Sequence, residues 1–240
     1  MNVKVEPPEV YVSDAYNLST RQRKQSIDLI LTDPPYRVAK VGDETKKETE
    51  YPAQQTRLTT HRAPWDKDYE ITQKLIGEFY EILRDGGTLI LFYDFWKMES
   101  LREMLARAGF KRPRLIIWKK TNCIPVNTFS HYLANSKEFA VVAVKGRNPT
   151  FNSQYDCGIY EFSQQNRASI GIDHPTMKNL DMFSELIRKH TNHGDLVFDP
   201  FLGSGITCYA AMGESRRFKG GDISSEYIRQ VKEKIEERSN

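Results

Sequence analysis

The sequence predicts a single α/β domain, an open and mostly parallel sheet with helices packed on both faces. Three observations predict it. Short continuous apolar runs, such as Ile27–Asp33 (IDLILTD), Thr88–Tyr93 (TLILFY) and Asp195–Asp199 (DLVFD), have the look of strands buried on both faces. Segments with apolar residues at helical spacing alternate with those runs. Several of the runs end in an aspartate at the start of a polar loop, and in such sheets the ligand lies beyond the carboxyl ends of the strands.

Taken in order, Val10–Asp14 reads as a short strand and Ile27–Asp33 as a buried one. Residues 37–68 are rich in charge and poor in periodic apolar positions, the mark of a long functional loop. Ile71–Leu83 carries a helical stripe of Ile71, Leu75, Ile76, Phe79, Ile82 and Leu83, and Asp85-Gly86-Gly87 should stop it before the strand Thr88–Tyr93. Lys97–Ala108 is an amphipathic helix closed by Gly109. Arg114–Lys119 and Glu138–Lys145 follow as strands, and residues 146–173 read as an irregular surface segment. Leu180–His190 is helical. Asp195–Asp199 is a strand that leads through Pro200–Gly205 into a small-residue helix ending at Met212. Phe218–Ile223 is the last strand, and Ser224 or Ser225 caps a final helix.

The chain has 240 residues, 28% of them charged and 39% hydrophobic, with a net charge of +3. That suits one soluble globular domain and permits contact with a polyanion without demanding it. The three cysteines, Cys123, Cys157 and Cys208, lack paired spacing, so free thiols are expected rather than disulfides or a zinc knuckle. No apolar run reaches the ~20 residues of a membrane span, and the first residues show no signal pattern. A cytoplasmic protein with no membrane partner is the expectation.

Asp33-Pro34-Pro35-Tyr36 is the strongest chemical signal. By average composition the tetrapeptide arises in roughly one chain of this length in a thousand, and here it directly follows a buried strand. The prolines remove two N–H donors and fix the backbone. Acceptors remain, the Asp33 carboxylate and the Pro34 carbonyl, which suit a planar NH₂ group, and Tyr36 offers a ring for stacking. A rigid turn with a solvated aspartate is the plain alternative. Asp199-Pro200-Phe201-Leu202-Gly203-Ser204-Gly205 is the second signal. It joins a strand to a helix N-terminus, and its glycines allow close approach by a ligand. It is not the GxGxxG fingerprint, which disfavours a nicotinamide oxidoreductase. Asp222 ends the next strand, where a carboxylate commonly holds ribose hydroxyls.

These motifs resemble the catalytic and cofactor motifs of the amino-methylating DNA methyltransferases, which modify adenine N6 or cytosine N4. Their order, DPPY first and FxGxG later, is similar to that of the β group, with its circularly permuted Rossmann-like methyltransferase sheet. His174-Pro175-Thr176-Met177-Lys178 resembles that group's HPTxKP motif and departs from it at Asn179, where the family has proline. Asp14 matches the acidic residue near the cofactor adenine, and Trp118-Lys119 with Glu138 resemble the family's strand-hairpin signature. The likeness spans nearly the whole of residues 1–240, read as one methyltransferase domain, and is weakest at 37–68 and 146–173.

The resemblance implies S-adenosyl-L-methionine as cofactor, no metal, and double-stranded DNA as substrate. It implies cofactor contacts from Asp14, Ala15, His174, Thr176, Lys178, Asp199, Pro200, Phe201, Gly203, Ser204, Gly205, Thr207 and Asp222, and catalysis by Asp33, Pro34, Pro35 and Tyr36. The target base would be flipped out of the duplex, Asp33 and the Pro34 carbonyl would accept from its NH₂ group, and methyl transfer would be direct and in line. Asp at the first motif position is typical of adenine enzymes and Ser of cytosine-N4 ones, so a site-specific adenine-N6 methyltransferase is expected. The alternatives are a cytosine-N4 enzyme, an RNA or protein amino-methyltransferase, and a catalytically silent DNA-binding module. Residues 37–68 and 146–173 are placed to flank the crevice, with Arg57, Arg62, Lys119, Lys120 and Arg167 as candidate phosphate or base ligands. A homodimer is an option, since one domain has little surface to enclose a duplex, and a cognate restriction endonuclease is left open as a partner. His190 and His193 are expected on the surface, Arg21, Arg23 and Lys24 on a solvated face, and Trp65 and Asp66 either at the pocket or in packing.

Overall fold

The computed structural model describes residues 6–35, 71–123, 136–164 and 177–239. Its elements are β1 (Glu9–Val12), α1 (Ala15–Thr20), β2 (Ile27–Thr32), α2 (Gln73–Ile82), β3 (Leu83–Phe92), a single 3-10 turn (Phe95–Lys97), α3 (Met98–Ala108), β4 (Lys111–Lys120), β5 (Lys137–Val144), β6 (Ile159–Phe162), α4 (Leu180–His190), β7 (Leu196–Asp199), α5 (Ile206–Gly213), β8 (Arg217–Asp222) and α6 (Ser225–Ser239). The strands form one eight-stranded sheet in the order β1-β8-β7-β2-β3-β5-β4-β6. The first five in that order run parallel. β5 is antiparallel to both of its neighbours, β3 and β4.

The alternation of side chains along β2 builds two cores. Leu29 and Leu31 point to the face covered by Met182, Phe183 and Leu186 of α4, Cys208 and Tyr209 of α5, and Ile228 and Val231 of α6. Ile30 points to the other face, with Leu18 of α1, Leu75, Ile76 and Phe79 of α2, and Leu101 and Leu105 of α3. Every residue of β2 is buried, which is why Leu29–Leu31 at its centre form an unbroken apolar run rather than alternating with polar residues.

Helix boundaries follow local chemistry. Asn179 caps α4, its side chain accepting from the Met182 amide at 2.9 Å. This gives a physical reason for asparagine at the position where the resembling motif has proline. Gly109 ends α3 at φ 100°.

Two expectations are corrected. Asp85-Gly86-Gly87 does not separate helix from strand: α2 ends at Ile82 and β3 begins at Leu83. The glycines stay in the sheet because the Gly86 amide donates to the Lys145 carbonyl and the Lys145 amide donates to the Gly87 carbonyl. The stretch 146–173 is not wholly irregular either, since Ile159–Phe162 adds a parallel edge strand to β4.

Candidate active site

The five parallel strands end at one edge of the sheet, and an aspartate stands at or just past the end of each. Asp14 and Asp94 are helix caps. Asp14 accepts from the Asn17 amide at 2.9 Å, a bond that holds its carboxyl below the usual range, and Asp94 accepts from the Trp96 amide at 3.0 Å. Asp199 is buried and braced on three sides. Thr32 donates to one oxygen at 2.7 Å, Thr207 to the other at 2.5 Å, and the Phe201 amide to the first at 3.0 Å. Burial nevertheless pushes its carboxyl up to about 6, against the pull of those donors. Asp222 is half-buried and accepts from the amides of Gly203 at 3.0 Å and Ser224 at 2.8 Å, and burial raises it too.

Asp199 and Asp222 therefore shape the turn between β7 and α5 from both sides. Gly203 (φ 49°) and Gly205 (φ 82°) occupy the left-handed region there, and Gly205 is the N-cap of α5. Pro200, Ser204 and Thr207 are buried and Phe201 partly so. The Thr207 hydroxyl is turned toward Asp199.

Asp33 follows β2 at the centre of this edge, with Pro34 buried and Pro35 half-buried. Lys178 reaches it from the segment before α4, with Nζ 2.6 Å from Oδ2. The same ammonium lies 2.7 Å from Oε2 of Glu138, near the start of β5. It also sits 5.2 Å from the centroid of Phe92, the last residue of β3. Glu138 pairs in turn with Lys120 at 2.7 Å. Burial opposes a charge on Glu138, but the ammoniums of Lys178 and Lys120 outweigh it and hold the carboxyl down to about 2.

The structure brings together Asp14, Ala15, Asp33, Lys178, the turn Asp199–Gly205 and Asp222. Tyr36, Arg57, Arg62, Trp65, Asp66, Arg167, His174 and Thr176 lie outside the described residues. Lys119 is on the surface, paired with Glu161 at 3.0 Å. Lys120 is turned inward: its side chain is only 9% exposed and its ammonium is taken up by Glu138 on the neighbouring strand rather than presented to a phosphate. His190 is also not on the surface. It packs against Phe151, and burial lowers it to about 4, while His193 is exposed. All three cysteines are free thiols, and no metal-binding cluster occurs among the described residues. No helix among them is long and apolar enough to cross a membrane. A cavity of about 310 Å³, lined by Thr88, Arg112, Phe151 and His190 among others, lies toward the opposite edge of the sheet, away from these carboxylates.

Sequence reasoning missed two features. The bridge from Asp33 through Lys178 to Glu138 has no signature, because its members stand far apart in the chain. Phe95 and Trp96 are exposed just past β3, Trp96 by 74%. An aromatic pair directly after an aspartate-terminated buried strand was a signal that could have found them.

Comparison with known proteins places residues 27–233 in the match to a family model described as DNA methylase. Type II methyltransferase M2.DpnII of Streptococcus pneumoniae is 26% identical, over 93% of this chain and 88% of that protein. Putative methylase YubD of Escherichia coli K12 is 27% identical, over 88% of this chain and 82% of that protein. Among solved structures, the complex of M1.HpyAVI with SAM superposes with a TM-score of 0.70 at 23% identity, covering 94% of this chain and 98% of that one. The cytosine-N4-specific PvuII DNA methyltransferase gives 0.72 at 18% identity, covering 96% and 86%. At these identities the structural likeness speaks for the fold.

Proposed function

The chain belongs to the DNA methylase family of amino methyltransferases, which act at adenine N6 or cytosine N4, and on that premise we propose that it uses S-adenosylmethionine to methylate adenine N6 in double-stranded DNA. The observation that carries the proposal is the 2.7 Å hydrogen bond from Thr32 to Asp199. It ties the residue before Asp33 to the residue that opens the glycine turn, so the acceptor loop and the cofactor turn share one edge of the sheet.

The residues present fit S-adenosylmethionine. Gly203 and Gly205 put bare backbone at the start of α5, where amides favour a carboxylate. Asp222 remains half-exposed, and although each oxygen already accepts an amide, each keeps a further lone pair for a ribose hydroxyl. Asp14 offers an exposed carboxylate at the same edge. When bound, the cofactor supplies the methyl group on its sulfonium.

The protein's part is positioning. Asp33 and the Pro34 carbonyl accept from the amino group of a flipped base and turn its lone pair toward the methyl. Asp33 also stabilises the positive charge that develops on nitrogen as the bond forms. The two prolines fix the backbone of the acceptor loop and keep it from relaxing.

Adenine is preferred because the first motif residue is Asp. The cytosine-N4 reading is retained because a cytosine-N4-specific enzyme has the same fold. Incubation of DNA with labelled S-adenosylmethionine, followed by nucleoside analysis, decides between them. N6-methyladenine is expected, N4-methylcytosine would move the assignment to the second base, and no labelled nucleoside would overturn the reading. Within a restriction–modification pair, the partner would be an endonuclease cutting the same sequence.

A further inference from the structure

Asp33 stands one residue past the end of β2 and Glu138 stands on β5, with β3 between the two strands. Two strand spacings put the backbones roughly 10 Å apart, too far for direct contact between side chains fixed at that separation. Lys178 closes the gap from above. Its ammonium sits over the ring of Phe92 on the intervening strand, 2.6 Å from one carboxylate and 2.7 Å from the other. Lys120 completes the row on the far side, 2.7 Å from Glu138 and 5.3 Å from the Trp118 ring. The row alternates in sign: Asp33, Lys178, Glu138, Lys120. The lysine side chains are only 7% and 9% exposed.

Ion pairs so buried add little to stability, because desolvation cancels most of the attraction, and apolar replacements often do as well. The row also ends on the one carboxylate that faces the chemistry. We propose that Glu138 is a positioning residue for methyl transfer: acting through Lys178, it fixes how the Asp33 carboxylate is presented to the target amino group. The inference rests on the functional reading above.

Two effects follow from the geometry. Lys178 grips Oδ2 of Asp33, which sets the rotation of the carboxylate and so the direction of Oδ1. Glu138 also takes a share of the ammonium's charge. Without it the whole charge falls on Asp33, which becomes a weaker acceptor for an amino group. Lys120 keeps Glu138 ionised and turned toward Lys178.

The test uses the full chain with DNA and S-adenosylmethionine. Glu138→Gln, nearly equal in shape, is expected to lower the single-turnover rate about 10- to 100-fold, the usual consequence of a misplaced group. Cofactor affinity, read by calorimetry, should stay within about 2-fold, because Glu138 touches Asp33's partner and not the glycine turn. Glu138→Asp keeps the charge but withdraws it by one methylene, so its loss should be smaller than that of Glu138→Gln. It also serves as the test should Glu138→Gln fail to fold, and a wild-type rate in it would then overturn the proposal.

A melting cycle checks the bridge without relying on activity. Asp33→Asn and Glu138→Gln together should cost more than the sum of the two, since only the pair strips Lys178 of both carboxylates. Additive losses would overturn the bridge, and a wild-type rate in Glu138→Gln would overturn the positioning role. A rate that falls only in step with cofactor affinity would overturn it too, by making Glu138 merely structural. Absence of transfer by the wild type would instead sink the functional reading, and the positioning role with it, while the melting cycle would still report on the bridge.

Discussion

Gly205→Ala is the most direct probe of how the cofactor turn is built. Gly205 caps α5 at φ 82°, ψ 9°, a conformation that costs an alanine about 1–2 kcal/mol. Its new Cβ would stand 2.9 Å from Cζ of Tyr209 and 2.9 Å from Cγ2 of Val231. Both residues are buried, so neither can swing into solvent. Relief requires α5 and α6 to part, an overpacking cost of about 1–3 kcal/mol. The two costs together come to about 2–5 kcal/mol, which lowers the melting temperature of a domain this size by roughly 4–20 °C. Gly213, at the other end of the same helix, is the control: a Cβ there meets nothing within 4 Å, so Gly213→Ala should be neutral or slightly stabilising. Thermal melts followed by circular dichroism read both. If Gly205→Ala melts within about 2 °C of the wild type, the account of the turn is wrong.

Asp33→Ala is expected to abolish methyl transfer while leaving S-adenosylmethionine affinity within a few-fold; near-normal turnover would refute its role. For His190, buried and neutral with Asp156 and Lys189 the charges nearest it, the folded value of about 4 lies below the free value of 6.5. The folded state therefore resists a proton that the unfolded chain accepts, and about 3 kcal/mol of stability present above pH 6.5 is lost as the pH falls to 4. His190→Leu should flatten that part of the melting-versus-pH curve, and an unchanged slope would count against it. Alanine at Arg57, Arg62, Lys119 or Arg167 should weaken DNA binding, and each phosphate ligand removed should reduce the salt slope by about 0.9. Filter binding at two salt concentrations reads this, and four unchanged slopes would put the recognition surface elsewhere.

Most of the sheet was legible because strands buried on both faces cannot hide: Leu29–Leu31 of β2, Leu89–Phe92 of β3 and Leu196–Phe198 of β7 are unbroken apolar runs, each with an aspartate one or two residues beyond. Helix α4 was legible to the residue, since the helical reading of Leu180–His190 coincides with its bounds. β6 was not, because of its four residues only Tyr160 is buried, and its pairing is with a strand some 40 residues away. Gly86 and Gly87 misled because glycine is read as a break, whereas here Lys145 supplies backbone partners that keep them in the ladder. Of the site, Asp33 and the glycine turn could be read from local pattern. The inward turn of Lys120 and the burial of His190 depend on Glu138 and Phe151, which no spacing rule links to them.

The bond between Thr32 and Asp199 joins residues 167 positions apart, and this bears on how the protein is made. A ribosome releases β2 and β3 long before β7, so for most of synthesis the Leu29–Leu31 strand lacks the neighbour that later covers one of its edges. An apolar strand waiting with an open edge invites pairing with another nascent chain, and closing so distant a contact slows folding. Chains truncated before residue 196 should therefore collect in inclusion bodies, and slower growth temperatures or chaperone supply should raise the yield of the full-length protein more than changes to its surface.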